Sequence, residues 1–345
     1  MRDYLRPLGQ LTLSRFREQL RQPEVLFWVF AFPLLLAVAL GLAFRNRPPE
    51  VIRVAVEAGP GADSVAGLLN GARGIKAAVS PAAQASEQLR KGSVTLVVVS
   101  GEPLVYRFDS TRSESRLARL ATDDALQRAL GRRDVRAVAE QKVMERGSRY
   151  IDFLIPGLLG LNLMGTGMWG MGYAVVDARK RKLMKRLLAS PMRRSQYLLS
   201  FIIARLVMLG PEVVLLLGFG MLAFGVPMRG SVVTLAVLVV IGAMCFAGLG
   251  LLTASRARTI EMVSGLMNLI MMPMWIVSGV FFSSANFPAV MQPLIKVLPL
   301  TALNDALRAV ILDGASLAAV AVPATICAVW GAVSFAIALK IFRWL

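Results

Sequence analysis

Phe153 to Val176 is a run of 24 residues without a charge, and the eighteen that follow, Asp177 to Arg194, hold eight Lys and Arg against one acid. As a helix such a run reaches about 36 Å, enough to cross a hydrocarbon core of about 30 Å, where only a helix or a closed barrel satisfies its own backbone. A dense basic loop straight after a span stays on the cytosolic side. This junction therefore sets an orientation from which the remaining segments can be counted.

Composition agrees with a membrane chain. Of the 345 residues 56% are hydrophobic and only 17% charged, and the mean hydropathy is +0.61, which is too apolar for an ordinary soluble domain. The net charge of +18 would suit a nucleic-acid partner. Half of the basic residues, however, stand in short segments beside apolar runs, where orientation explains them, so no nucleic acid is expected.

There is no histidine, which removes the usual proton shuttle, the commonest metal ligand and every His-dependent triad. Cys245 and Cys327 each lie deep in an apolar run and read as small buried hydrophobes rather than a metal pair or a disulfide. No Gly-Lys dipeptide occurs, so there is no Walker A loop. The cytosolic segments are also too short for a nucleotide-binding domain. An enzyme is not expected, and no cofactor or metal is expected in this chain.

Five further runs are long enough to span: Val25–Phe44, Tyr197–Val226, Val232–Thr253, Met262–Phe282 and Leu317–Leu339, giving six helices. The first exceeds the roughly 7–15 residues of a signal-peptide core and follows a long Arg-containing segment, so it reads as a span. Counting from the basic loop puts both termini in the cytosol. The short segments agree, with Arg2, Arg6, Arg15, Arg17 and Arg21 before the first span, Arg256 and Arg258 between the fourth and fifth, and Lys340 and Arg343 after the sixth.

The organisation expected is therefore a polytopic α-helical membrane protein in a 1+5 arrangement. Residues 1–24 form a cytosolic N-terminal segment and 25–44 the first transmembrane helix. Residues 45–152 form an extracytoplasmic domain, and 153–345 hold five helices. The insert carries 18 basic and 13 acidic residues. It mixes a β-type run at Val51–Glu57, a helical stretch at Asp63–Arg73, apolar runs at Ile75–Val79 and Ser93–Ser100, an alternating Leu104–Asp109 and an amphipathic helix from Ser113 to Arg146, which together predict an α/β domain. It could transmit motion to the second span or serve only as a lid or stalk.

Three groups of residues are candidates for chemistry. In the loop 177–196, Leu183 and Leu187 are four apart, as are Met184 and Leu188, so a helix ended by Pro191 would gather an apolar face against Lys and Arg. Such a helix could dock on a cytosolic partner or anchor to anionic membrane lipids. Arg205 and Glu212, seven apart in the third span, share a helix face at membrane depth, and pairing with a neighbouring helix is the expected role. The segment 283–314 holds Pro288, Pro293, Pro299, Lys296, Asp305 and Arg308 and reads as a re-entrant element of short helices. Its Pro299, Asp305 and Arg308 would then stand at the extracytoplasmic mouth.

Taken in order, several stretches resemble permeases of the type-2 ABC transporter family over nearly the whole chain. They are the Arg-rich N-terminus before Val25-Leu26-Phe27-Trp28-Val29-Phe30 and Phe32-Pro33, the large insert, Tyr150-Ile151-Asp152-Phe153-Leu154-Ile155-Pro156-Gly157, and the loop Leu187-Leu188-Ala189-Ser190-Pro191. Ser278-Gly279-Val280-Phe281-Phe282 then precedes Leu298-Pro299-Leu300-Thr301 and Asp305-Ala306-Leu307-Arg308. The resemblance implies a subunit of the cell (inner) membrane that forms a homodimer or heterodimer with a second permease, binds two ABC ATPase subunits carrying the ATP and Mg, and exports a drug, lipid or polymer by alternating access. It favours the coupling-helix reading of 177–196. Many relatives carry Gly-Thr before the Leu-Leu pair, where this chain has Lys182-Leu183 and Lys185, which points to an acidic groove on the ATPase. The competing expectation is an ATP-independent carrier or a membrane-anchored scaffold, which needs no ATPase partner. Carriers usually show several ionisable residues at mid-membrane, and here only Glu212 stands there clearly.

Overall fold

A computed structural model describes residues 2–45, 51–133, 136, 147–180 and 194–341. The chain divides into two compact units, one of Met1–Arg45 with Val143–Leu345 and the other of Asn46–Lys142.

The chain opens with helix α1 (Arg2–Leu20), in a segment for which the sequence reading counted charges and assigned no helix. The first apolar run follows as α2 (Pro23–Leu26), a π-helical turn Phe27–Ala31 and α3 (Phe32–Arg45). Pro23 can open the helix because a first-turn residue has no intrahelical use for its N–H.

The smaller unit contains β1 (Ile52–Glu57), α4 (Ala62–Asn70), β2 (Ile75–Ser80), α5 (Ala82–Lys91), β3 (Leu96–Val99), β4 (Val105–Arg107) and α6 (Ser113–Ala129). The sheet order is β2-β1-β3-β4, with β1 parallel to both β2 and β3, and β4 antiparallel to β3. Because β2 and β3 flank β1 on opposite sides, crossovers of one hand must carry α4 and α5 over opposite faces. Val54, Val56, Leu96 and Val98 meet Ala66 and Leu69 of α4 and Ala118 and Leu126 of α6, whereas the alternate residues Ala55 and Val97 meet Ala85 of α5. At the open edge of β2 the Asn70 amide stands in for a missing strand, donating to the Ala77 carbonyl at 2.9 Å and accepting from its N–H at 2.8 Å. Such blunting guards an edge against further pairing.

Two readings of this unit are corrected. Helix α5 has no counterpart in the expected pattern; Pro81 precedes it, and Gly92 at φ +73° closes it with a left-handed cap. Helix α6 ends at Ala129, because the chain turns at Leu130 and Gly131, whose φ of +103° no helix accepts; the rest of the expected helix, 137–146, lies outside the described residues.

The larger unit continues with α7 (Tyr150–Lys180), α8 (Arg194–Phe224), α9 (Val232–Ala254), α10 (Ile260–Val277), α11 (Gln292–Val297), α12 (Pro299–Asp313) and α13 (Ala321–Ile341). Among the described residues six helices are long and apolar enough to cross a membrane, so the protein is mostly helical and multi-pass. The fifth run stops at Val277, five residues before its expected end, because Gly279 takes a φ of +71°.

Helix α7 is central: 78% of its apolar window is buried, against 17% for the first run and 22% for α10. It lies close to α9. A Cβ on Gly172 would stand 2.8 Å from the Gly250 carbonyl oxygen, and one on Gly250 would stand 2.6 Å from that of Met168. Where lipid removes the hydrophobic drive between helices, such backbone approach supplies the packing.

Candidate functional site

Helix α7 carries two polar residues in its uncharged stretch, Asn162 and Thr166, one turn apart and hence on one face. Pro33 on the first run has no N–H to meet the Val29 carbonyl in an α-helical ladder. Asn162 supplies the donor instead, with Nδ2 3.1 Å from the Val29 oxygen. The Thr166 hydroxyl donates back to the Asn162 carbonyl at 2.6 Å.

On α8 the Arg205 guanidinium binds Glu212 Oε1 through one Nη and donates to Thr166 Oγ1 through the other. Glu212 Oε2 lies 3.5 Å from the same hydroxyl. The side chains of Arg205 and Glu212 are 12% and 2% exposed. The seven-residue spacing thus produces an ion pair within α8, and the neighbouring helix contributes Thr166 rather than a countercharge. The result is a continuous polar path from Val29 through Asn162, Thr166 and Arg205 to Glu212, joining three helices inside an apolar bundle.

The three candidates of the segment 283–314 sit in different surroundings. Pro299 is the first residue of α12, and its carbonyl accepts from Cys327 Sγ at 3.4 Å. Asp305 is 57% exposed and stands 3.8 Å from Arg308. Arg308 turns inward, with its guanidinium 3.6 Å over the Phe153 ring, Nε 3.3 Å from the Phe153 carbonyl oxygen and an Nη on the Gly279 carbonyl. It clamps α12 to α7 and to the end of α10. Asn304, missed from sequence, adds a 3.0 Å bond to the Ser278 carbonyl. The segment 283–314 does fold as short helices, with 3-10 turns at Ser284–Asn286 and Ala289–Met291 before α11 and α12.

Asp177–Lys180 continue α7 without a break. Leu183, Met184, Leu187, Leu188 and Pro191 lie outside the described residues. The described residues contain no cluster of three or more Cys, Asp or Glu that could hold a metal.

A family model described as ABC-2 family transporter protein matches residues 23–340. Over 180 residues the chain is 29% identical to the linearmycin resistance permease protein LnrN of Bacillus subtilis (strain 168), covering 51% of this chain and 46% of that protein. It is 25% identical over 165 residues to the probable multidrug ABC transporter permease YbhR of Escherichia coli (strain K12), covering 48% and 45% respectively. The match thus spans about half the length of these curated relatives.

Proposed function

The chain belongs to the ABC-2 family of transporter proteins, and we propose that it is the transmembrane permease subunit of an ATP-driven exporter. In this reading a hydrophobic or amphipathic substrate, a drug, lipid or polymer, leaves the cytosol or inner leaflet by alternating access. The observation that carries the proposal is family membership over 23–340, joined to six helices of membrane-spanning length and apolarity among the described residues. The printed names of LnrN and YbhR, one for linearmycin resistance and one for multidrug transport, support an amphipathic organic cargo. ATP and Mg belong to two ABC ATPase subunits that dock on the Leu183, Met184, Leu187 and Leu188 face of the loop 177–196, and the chain pairs with a second permease, identical or not. It sits in the inner membrane with both termini in the cytosol and residues 45–152 outside.

The test is reconstitution in proteoliposomes with copurified ATPase subunits, using ethidium and a nitrobenzoxadiazole-labelled phospholipid as probes. The chain alone should hydrolyse no ATP, and ATP-dependent probe movement should require the partner. Robust hydrolysis by this chain alone overturns the proposal, and equal probe movement without ATP overturns it in favour of the carrier reading.

Orientation is tested separately, with single cysteines in a background where Cys245 and Cys327 are serine. Ser86→Cys and Ser110→Cys should react with an impermeant thiol reagent added outside the inner membrane, and Ser195→Cys should not. Labelling of position 195 alone would invert the topology.

A further inference from the structure

An α-helix ends with carbonyls that have no intrahelical partner and carry the negative end of its dipole. At the end of α9, Ser255 answers for one, its N–H and hydroxyl both reaching the Leu252 carbonyl at 3.2 and 2.6 Å. The next carbonyls cannot turn to water, since Ala254 and Ala257 are fully buried and Ser255 nearly so. Their partner is Arg179, from the last turn of α7. One Nη lies 2.7 Å from the Ala257 oxygen and 3.3 Å from that of Ala254, and the other 3.4 Å from that of Ser255. One guanidinium thus closes the end of a different helix and the turn that leads into α10.

Two features give this contact a direction. Behind it, α7 and α9 are packed backbone against backbone at Gly172 and Gly250, so neither helix slides past the other without losing that fit. Ahead of it, Lys180 ends α7, and the basic stretch that the functional reading assigns to ATPase docking begins at once. Arg179 belongs by sequence to that cluster, yet it faces the protein.

We propose that Arg179 is a positioning residue that fastens the Lys180 end of α7 to the α9–α10 turn, so that movement of the docking loop reaches α10. Helix α10 begins at Ile260, directly after this turn and capped by Thr259, so a displacement of the turn is passed to its first residues. Without Arg179, loop movement would be absorbed by bending of the last turn of α7. The inference rests on the exporter reading.

The experiment uses the complex with its copurified ATPase subunits, in the background with serine at 245 and 327. A bimane fluorophore on Arg258→Cys, an exposed position in the turn, reports the environment of the turn. ATP with vanadate should change its emission in the otherwise unaltered complex. In Arg179→Gln that change should fall about five-fold while partner binding and ATP hydrolysis persist. Arg179→Lys should lie between, because an ammonium lacks the planar fork that spans several carbonyls. A full emission change in Arg179→Gln, or loss of partner binding by folded Arg179→Gln, overturns the inference. Should the Gln variant fail to fold, a full response from Arg179→Lys overturns the inference and a reduced response sustains it. An unaltered chain that takes up no ATPase fails the functional reading and this one with it; equal responses from unaltered and variant complexes fail this one alone.

Discussion

Glu212→Gln is expected to destabilise the membrane unit by about 3–5 kcal/mol, the range for a buried ion pair that loses one partner. The loss is large because the remaining charge cannot leave. Arg205 is 12% exposed, and the acceptors left to it, the Thr166 hydroxyl and the amide oxygen of the new glutamine, carry no charge. A buried carboxylate without its cation can neutralise itself by taking up a proton, whereas a guanidinium stays charged. Arg205→Met should therefore cost less than Glu212→Gln. Replacing both, as Arg205→Met with Glu212→Leu, removes the charges together and should restore most of the stability. The measurement is unfolding of the purified chain in sodium dodecyl sulfate, followed by tryptophan fluorescence. A Glu212→Gln chain as stable as the unaltered one would show that the pair does not hold α8 to α7. If the double variant is stable and fails to move either probe, the pair contacts substrate instead.

The spans were legible because a membrane writes them in one dimension: an uncharged run of sufficient length needs no knowledge of its neighbours. Their ends were less so. The fifth span stops at Gly279 because of a backbone angle, while its apolar residues continue to Phe282. The pairing of Arg205 with Glu212 was half legible, since a seven-residue spacing places both on one face but says nothing of Thr166. Contacts that cross the fold left no local trace. Asn162 meets Val29 at a separation of 133 residues, and Arg308 meets Phe153 at 155. A signal existed for Asn162, a polar residue one turn from Thr166 in an otherwise apolar span, but its partner was a carbonyl exposed by a proline on another helix. Arg308 was legible only as a polar group of the segment 283–314, and nothing in its sequence neighbourhood pointed to the aromatic ring and two carbonyls that hold it.

Leu187→Asp should abolish ATP-dependent movement of both probes and lower ATPase copurification by at least about tenfold, the scale of a charge buried unpaired in a protein interface. By spacing, a helix over this stretch would set Leu183 and Leu187 on one side, with Met184 and Leu188 beside them. An apolar face of that kind fits a groove, while the surrounding Lys and Arg suit an acidic rim. Membrane insertion should be unaffected, because the basic residues that set orientation are untouched. If the loop instead anchors to lipid, Leu187→Asp should be mild and the damage should come from removing charge at Arg181, Lys182, Lys185 and Arg186, each worth about 1 kcal/mol of attraction to anionic headgroups. The comparison is therefore paired: Leu187→Asp beside a variant with glutamine at those four positions, at equal membrane abundance, read by partner copurification and probe export. Normal binding and export in Leu187→Asp would remove the coupling role from this face. Loss in Leu187→Asp with a milder defect in the four-glutamine variant would place the energy of docking in the apolar contact, with the basic rim acting chiefly on the rate of encounter.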